Sequence, residues 1–281
     1  MANFDDRYPL DKWRDADHSV MGEFSLAGKK GFVTGAAGGI GRSAAAAWAE
    51  AGADVALVDL PAKLEQLESL AAEMSDKYGV NVVAIGCDVS DPNSVAELKT
   101  ALVNRLGTVD IAFLNAGVCL MDDSIDIPFD KWQKTLDINL SGAFMTGQIA
   151  HQIMREHKHG GSLIFTSSTA GHTVLNMGGF PAPNMSYSVT KAGVTRYTQY
   201  LAAALAPYGI RSNAITPGYI WSGIFGDSVT EEEHDAMLQM VPERRFARND
   251  ELQGLLVFLA SDASSYVTGT DTPIDGGLLV Y

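Results

Sequence analysis

The stretch Thr34-Gly35-Ala36-Ala37-Gly38-Gly39-Ile40-Gly41 decides the fold of this chain. The apolar run Lys30–Thr34 before it predicts a buried strand, and the alanine-rich stretch Arg42–Ala51 after it predicts a helix. Glycines permit a tight turn between the two and let another group approach the backbone closely. A glycine cluster alone is often only a turn. With a strand before it and a helix after it, the stretch predicts a loop that holds a pyrophosphate on the helix N-terminus.

Outward from this loop, short apolar runs alternate with helical patterns such as Leu64–Tyr78 and Val95–Leu106. The apolar runs are continuous, as expected for strands that are covered on both faces. The further predicted strands are Val55–Asp59, Val82–Asp88, Ile111–Asn115, Leu163–Ser167, Arg211–Thr216 and Thr272–Asp275. This alternation predicts an α/β fold, a single doubly wound parallel sheet of the Rossmann type with helices on both faces.

No linker rich in Pro, Gly or Ser divides the chain, so we expect a polar N-terminal arm over residues 1–25 and one catalytic domain over residues 26–281. Residues 218–248 interrupt the strand–helix rhythm. They include a predicted helix, Thr230–Met240, with Thr230 as its N-cap. Because the insertion follows the carboxyl end of a strand, where open α/β sheets bind ligands, we predict a substrate-binding lid rather than a plain surface excursion.

Composition excludes several classes of partner. The chain has 34 acidic and 20 basic residues, a net charge of −14 that disfavours nucleic acids and anionic membranes. It has no apolar run long enough to span a bilayer and no signal peptide, so we expect a cytoplasmic protein. Cys87 and Cys119, the only cysteines, are predicted to be reduced thiols near strand ends.

Asp59 ends the second predicted strand and bears on the choice of cofactor. A carboxylate there can accept hydrogen bonds from the ribose hydroxyls of NAD and would repel the 2′-phosphate of NADP. No Lys or Arg lies within the glycine loop, although Arg42 follows it directly. We therefore predict NAD, the alternative being that Asp59 is a loop residue or cap with no ligand.

Tyr187 and Lys191 lie four residues apart at the start of a helical pattern that runs to Tyr208, and so share one helix face. A phenol has an ordinary pKa of ~10, too high for efficient acid–base catalysis at neutral pH. A nearby ammonium favours the phenolate and is expected to lower that pKa. Alone, such a pair is usually accidental, but the glycine loop makes a catalytic role the better interpretation.

With these motifs in place, the chain resembles the short-chain dehydrogenase/reductase family. The resemblance runs in family order from about residue 26 to the C-terminus. The matching pieces are Thr34–Gly41, Asp88-Val89, Asn115-Ala116-Gly117, Asn139, Ser168, the Tyr187 and Lys191 pair, Pro217-Gly218, Tyr266–Gly269 and Asp275–Gly277.

The resemblance implies four catalytic residues. Tyr187 would be the general acid and base, and Lys191 would lower its pKa and bind the nicotinamide ribose. Ser168 would hold the substrate oxygen, and Asn139 would anchor a water that links Lys191 to solvent. Without the family context, Asn139 is almost as well explained as a cap that breaks a helix.

The resemblance also implies a set of contacts to the cofactor. Asp88 and Val89 would contact adenine, and backbone near Ile220 would meet the nicotinamide carboxamide. Ser222 stands where the family often has Thr. The full implied set is Gly35, Gly39, Ile40, Gly41, Asp59, Asp88, Val89, Asn115, Ala116, Gly117, Tyr187, Lys191, Pro217, Gly218, Ile220 and Ser222.

The segment between Ser168 and Tyr187 is longer than is usual in the family and should form one wall of the substrate pocket. Its first part, Gly171–Asn176, resembles the corresponding loop of sugar and polyol dehydrogenases in the family. Asn176, and His172 with less support, could bond vicinal hydroxyls, or each could be a satisfied polar group of a loop. We predict Ser168, Asn176 and Tyr187 as substrate contacts.

The sequence thus predicts an NAD-dependent oxidoreductase that interconverts a secondary alcohol and a ketone, with a polyol or sugar as the expected substrate. One alternative is a reductase of 3-oxoacyl thioesters or other bulky ketones, and a second is a non-catalytic NAD(H)-binding protein. The family usually forms dimers or tetramers, so we expect a homo-oligomer. The basic run 155–159 is expected to complement a helix C-terminus, and no metal site is predicted.

Overall fold

The computed structural model describes residues 19–120, 125–177, 180–223 and 230–280. The strands are β1 Lys30–Thr34, β2 Asp54–Asp59, β3 Val82–Gly86, β4 Ile111–Leu114, β5 Gly161–Thr166, β6 Asn176–Met177, β7 Phe180–Pro181, β8 Ile210–Pro217 and β9 Asp271–Ile274. The α-helices are α1 Val20–Glu23, α2 Gly39–Glu50, α3 Leu64–Tyr78, α4 Pro92–Leu106, α5 Phe129–Leu136, α6 Gly142–His157, α7 Met185–Leu205, α8 Glu231–Met240 and α9 Gln253–Ala260.

Seven strands form one parallel sheet in the order β3-β2-β1-β4-β5-β8-β9. The chain leaves β1 toward one edge and returns to β4 on its other side, so the strand order reverses between β1 and β4. The carboxyl ends of these two strands therefore flank a crevice, where open α/β sheets bind ligands. The predicted doubly wound α/β fold is confirmed.

Both faces of the sheet are covered, because neighbouring residues of one strand point into different apolar cores. In β1, Phe32 packs into a core with side chains of α4, α6 and α7, while Val33 packs into a core with α2, α3 and α9. Because both faces of each strand are covered, the strands appear in the sequence as continuous apolar runs.

The glycine loop connects β1 to α2 in a turn that side chains would obstruct. Gly35 has φ of 69°, in the left-handed region that favours glycine. A Cβ on Gly41 would overlap the carbonyl oxygen of Gly35. The first turn of α2 is therefore held directly above the loop.

The predicted carboxyl ends of the strands lie within one residue of the observed ones except in β3, and the predicted placement of Cys119 is also corrected. β3 ends at Gly86 rather than Asp88, because the Asp88 carboxylate accepts hydrogen bonds from the N–H and hydroxyl of Ser90 and turns the chain. Cys119 does not lie at a strand end, since β4 stops at Leu114. Neither cysteine forms a disulfide.

The long segment before α7 forms a small antiparallel hairpin, in which Met177 of β6 pairs with Phe180 of β7. The N–H of Ala182 donates to the carbonyl of Leu175 and closes the base of the hairpin. Helix α8 contacts β6. The hairpin and the insertion after β8 therefore meet over the carboxyl edge of the sheet.

Helix α8 begins where the sequence predicts. The Thr230 hydroxyl accepts the N–H of Glu233, and the Glu233 carboxylate accepts the N–H of Thr230, a capping box. Residues Arg155 and His157 lie in the last turn of α6, as expected for cations at a helix C-terminus. Within the described ranges, the helices are all too short or too polar to traverse a lipid bilayer.

Candidate active site

A cavity of about 980 Å³ extends along the carboxyl ends of the central strands. One end lies between the glycine loop and the ends of β2 and β3, and the other end lies under α8 beside Tyr187. The predicted site residues that line it are Gly35, Gly39, Ile40, Asp59, Asp88, Val89, Asn115, Ala116, Gly117, Ser168, Tyr187, Lys191, Pro217, Gly218, Ile220 and Ser222. Its size and length suit a dinucleotide with a small second molecule.

At the first end, Asp59 is held against the glycine loop. One carboxylate oxygen accepts the N–H of Ala37 at 3.0 Å, and the other accepts the N–H of Leu60 at 2.8 Å. The carboxylate is thus both bound to the loop and exposed to the cavity. The cationic side chains among the described residues that line the cavity are Lys134 and Lys191, and neither belongs to the glycine loop.

Asn115 joins three strand ends in the floor of the cavity. Its amide nitrogen donates to the carbonyl of Thr34 at 3.2 Å, and its amide oxygen accepts the Thr166 hydroxyl at 3.1 Å. The Thr34 hydroxyl in turn accepts the N–H groups of Asn115 and Ala116. These bonds hold β1, β4 and β5 together where the cofactor groove begins.

At the second end, the first turns of α7 bring Tyr187 and Lys191 beside Ser168, which follows β5. The Lys191 ammonium lies 5.4 Å from the centre of the Tyr187 ring and donates to the carbonyl of Thr166 at 2.7 Å. The Ser168 hydroxyl hydrogen-bonds to the phenol of Tyr187. The neighbouring hydroxyl of Ser167 faces away and bonds Thr195 at 2.7 Å.

Burial is the largest influence on the pKa values of Tyr187 and Lys191. It raises the pKa of the Tyr187 phenol, the charge of Cys119 raises it further, and the hydrogen bond from Ser168 lowers it. The pKa of Tyr187 is thus raised in the protein without cofactor, not lowered as the spacing to Lys191 predicts, and the largest cause is the loss of water around the phenol. Burial lowers the pKa of Lys191 to about 8, while the charge of Cys119 raises it. With its pKa lowered to about 8, Lys191 titrates closer to neutrality than Tyr187 does.

Asn139 lies in a π-helical turn, Asp137–Ser141, between α5 and α6. Its amide oxygen accepts the N–H of Val118, and its amide nitrogen donates to the carbonyl of Val118 and to the Thr190 hydroxyl. The side chain thus joins the loop after β4 to α7, one residue from Lys191. π-helical turns recur at functional sites. A residue that only ended a helix would not need to lie in such a turn.

Residues 217–222 carry the chain from β8 across the glycine loop. The N–H of Gly218 donates to the carbonyl of Ile274 in β9, and the amide of Asn249 donates to the carbonyl of Trp221. A Cβ on Gly39 would lie 2.9 Å from the carbonyl oxygen of Ser222. The Pro217–Ser222 stretch and the N-terminus of α2 therefore face each other across the narrow part of the cavity.

The wall beside Tyr187 is mostly apolar. Leu175, Ala182, Tyr219 and Met237 are buried, belong to one apolar cluster and line the cavity. Asn184 is the polar exception in this wall. The side chain of Asn176, the predicted substrate contact, lies outside the described part of the structure.

His172 does not face the cavity. Its Nε2 lies 2.8 Å from the Asp271 carboxylate, which also accepts the hydroxyls of Thr195 and Thr216. Its possible role as a partner for substrate hydroxyls is therefore wrong, because a carboxylate of β9 already binds the ring.

Several lining residues were missed by sequence reasoning, including Cys119, Met237 and the α5 residues Phe129 and Gln133. Only Met237 had a usable signal, since it lies in the predicted lid helix. The helical pattern there did not reveal which face would turn inward.

These features fit a dinucleotide cofactor. The turn at Gly35 and Gly41 leaves no space for side chains, and the N-terminus of α2 opens onto the cavity. Asp59 lies where the adenosine ribose of a dinucleotide would bind. The other end holds a phenol, an ammonium and a hydroxyl able to bind and protonate a substrate oxygen. The fold and site define a dinucleotide-binding oxidoreductase.

Known proteins agree with this class. A family model described as Enoyl-(Acyl carrier protein) reductase matches residues 35–279. The chain is 38% identical to the sorbose reductase of Candida albicans over 261 residues, 92% of this chain and 90% of that protein. It is 39% identical to the NADP-dependent mannitol dehydrogenase of Alternaria alternata over 259 residues, 92% of this chain and 94% of that protein.

A solved structure extends the likeness to three dimensions. The short-chain type dehydrogenase/reductase from Mycobacterium marinum superposes with a TM-score of 0.88 at 36% identity, over 94% of this chain and 100% of that one. The chain belongs to the short-chain dehydrogenase/reductase family. It is an oxidoreductase that acts on CH–OH groups and interconverts alcohols and ketones with a nucleotide cofactor.

Proposed function

We propose that the protein is an NAD-dependent dehydrogenase of a sugar or polyol, acting reversibly on a secondary hydroxyl. The observation that carries the proposal is the hydrogen bond between Ser168 and Tyr187 beside Lys191, in a cavity of about 980 Å³ that suits a cofactor and a small substrate. The similarity to a sorbose reductase and a mannitol dehydrogenase supports the substrate class.

In this proposal, NAD supplies the hydride acceptor for the carbon that bears the hydroxyl. Tyr187 takes the hydroxyl proton during oxidation and returns it during reduction. Ser168 donates a hydrogen bond to the same oxygen and stabilises the negative charge that develops there. The Lys191 ammonium stabilises the phenolate, and the polar connection through Asn139 and Thr190 lies beside it.

NAD is proposed over NADP on the basis of Asp59. Its carboxylate faces the cavity and is fixed by Ala37 and Leu60, so a 2′-phosphate there would meet a fixed negative charge. The remaining proposed cofactor contacts are those that line the groove. Asp88 and Val89 lie toward the adenine end, and Pro217, Gly218, Ile220 and Ser222 toward the nicotinamide.

We assign residues 26–281 to one catalytic domain and residues 218–248 to a substrate-binding lid. Support for the lid is the packing of Tyr219 and Met237 against Leu175 and Ala182 in the cavity wall. These side chains come from two separate segments, the insertion after β8 and the loop before α7. Contact between the two segments would enclose a substrate and exclude water around Tyr187.

We also propose a homo-oligomer, either a dimer or a tetramer, and a cytoplasmic location. The exposed apolar side chains Phe144, Val189 and Tyr200 of the two long helices α6 and α7 favour burial against a second copy. Two cysteines without a disulfide favour a reducing compartment.

A substrate panel tests the proposal. Sugars, polyols, 3-oxoacyl thioesters and plain bulky ketones are offered with NAD(H) and NADP(H), and nicotinamide absorbance is followed. We expect the highest kcat/KM for a sugar or polyol with NAD(H). A clear preference for thioesters or apolar ketones would replace the proposed substrate class with that of a bulky-ketone reductase.

A further inference from the structure

Asn184 is a buried polar side chain in the apolar wall of the substrate end. It is 8% exposed and lines the cavity together with Leu175, Ala182 and Met237. A carboxamide in such surroundings is costly unless its polar atoms find hydrogen-bond partners. The hydrogen-bond partners of the Asn184 carboxamide therefore show whether the protein alone satisfies it.

Asn184 occupies the N-cap position of α7 but does not cap the helix. An N-cap Asn usually accepts a backbone N–H from the first turn. In the described structure, the side chain of Asn184 makes no such bond, and its backbone has φ of −141° and ψ of 38°. The carboxamide therefore accepts none of the backbone N–H groups that open the helix.

The carboxamide has one protein partner among the described residues, the hydroxyl of Ser188, 3.1 Å from Oδ1. A carboxamide can donate two hydrogen bonds and accept two. With Oδ1 bonded to Ser188, the amide nitrogen Nδ2 has no partner among the described residues. This atom is available to a ligand.

The position of Asn184 relative to Tyr187 indicates which part of a substrate it would meet. Asn184 is the N-cap of α7, and Tyr187 lies in the first turn of the same helix. Both line the cavity. A molecule whose oxygen meets Tyr187 therefore presents its neighbouring atoms to Asn184.

We propose that Asn184 is a specificity-determining residue whose carboxamide hydrogen-bonds a substrate hydroxyl beside the reacting carbon. The proposal rests on the proposed function, because among the candidate substrate classes the sugars and polyols are the ones that carry such a hydroxyl. A neutral carboxamide, which both donates and accepts, matches a hydroxyl better than it matches a carboxylate or an alkyl chain. A substrate without the hydroxyl leaves the buried amide unpaired and is rejected for that reason.

The test compares Asn184→Ala with the unmodified protein on two substrates, the best polyol or sugar of the panel and its analogue lacking the neighbouring hydroxyl. We expect the unmodified protein to prefer the hydroxylated substrate, and Asn184→Ala to reduce that preference in kcat/KM by about five- to a hundredfold. The kcat/KM for the deoxy analogue should not fall, and it should rise to the extent that the unpaired amide had penalised this substrate. Asn184→Ser, which keeps a good N-cap residue, should give the same loss of preference if Asn184→Ala folds poorly.

Ser188→Ala is the matched control, since it removes the carboxamide's protein partner and leaves Asn184 in place. Preserved discrimination in Ser188→Ala supports direct contact with the substrate. If Ser188→Ala loses the preference as Asn184→Ala does, or if Asn184→Ala slows both substrates equally, Asn184 acts through the helix start and the inference is overturned. If the unmodified protein turns over no sugar or polyol, the proposed function is refuted, and this inference, which depends on it, is refuted as well.

Discussion

The imidazole of His172 lies 2.8 Å from the carboxylate of Asp271, although the two residues are 99 positions apart in the chain. His172 follows the active-site strand β5, and Asp271 begins the last strand. The bond therefore ties the loop that contains Ser168 to the edge of the sheet. Because Asp271 is buried and also accepts the hydroxyls of Thr195 and Thr216, the histidine is its most exposed partner.

We expect His172→Ala to lower the free energy of unfolding by about 1 kcal/mol without changing the preference between a polyol and its deoxy analogue. Asp271→Ala should cost about 3 kcal/mol or more, because three donors lose one acceptor. Urea unfolding and paired kcat/KM values measure both effects. A selective loss of polyol turnover in His172→Ala would mean that the ring contacts substrate after all.

Tyr187→Phe removes the proposed acid and base and leaves the ring in place. We expect kcat to fall by roughly 10²–10⁴-fold or more, while NADH still binds with similar affinity in a fluorescence titration. Tyr197→Phe is the matched control, because it removes a phenol hydroxyl from the same helix, 3.4 Å from the carbonyl of Phe144 and outside the cavity. Near-normal activity of Tyr187→Phe would remove Tyr187 from the mechanism.

Lys191 should make stability depend on pH. Burial lowers its pKa from 10.5 to about 8, so the unfolded chain binds more protons than the folded one between these values. The contribution of Lys191 to stability therefore rises as pH increases through this window. We expect the unfolding free energy of the cofactor-free protein, relative to Lys191→Met, to increase by up to about 3 kcal/mol from about pH 7 to about pH 10. Parallel pH curves for the two proteins would show that the amine titrates normally.

Asp59 should determine the choice of nicotinamide cofactor. We expect kcat/KM with NAD to exceed that with NADP by at least about tenfold, or about 1.4 kcal/mol. Asp59→Ala and Asp59→Asn should both lower the ratio of kcat/KM with NAD to kcat/KM with NADP. The Asn variant keeps an oxygen that can accept the N–H of Ala37. Asp54→Ala, at the other end of β2, is the control and should leave the ratio unchanged. Equal or better turnover with NADP in the unmodified protein would refute the assignment.

Asn176 is predicted to contact a substrate hydroxyl from the hairpin. Polyols or sugars should outperform deoxy analogues, and Asn176→Ala should lower kcat/KM for them by about five- to a hundredfold with little change in NAD affinity. Asn93→Ala, on the exposed start of α4, serves as control. If plain aliphatic or aromatic alcohols are preferred and Asn176→Ala has no effect, Met177 and Phe180 form an apolar wall instead.

The sheet and the cofactor end of the cavity were predictable because their signals are local. The strand Lys30–Thr34 and the helix Leu64–Tyr78 have the predicted bounds, since each is a continuous run with one periodicity. The glycine loop is likewise a short contiguous motif. Its partner Asp59 follows from the length of a single strand–helix–strand unit.

The substrate end was less predictable because distant segments build it. Nothing local indicates that His172 would meet Asp271, or that Met237 would turn toward Leu175 rather than toward solvent. The pKa of Tyr187 was predicted in the wrong direction, because sequence spacing shows its neighbours but not the removal of water around the phenol.

Helix α7 begins without a side-chain cap among the described residues, although Asn184 occupies the capping position. An N-cap bond typically contributes about 1 kcal/mol, and this helix holds together without one. Replacing Asn184 therefore removes no capping bond from the helix that carries Tyr187 and Lys191. Over evolutionary time, a change of substrate preference at this position would give up the bond to Ser188 but no capping bond of the helix. A single codon could then diversify the substrate range of a lineage while its catalytic residues stayed the same.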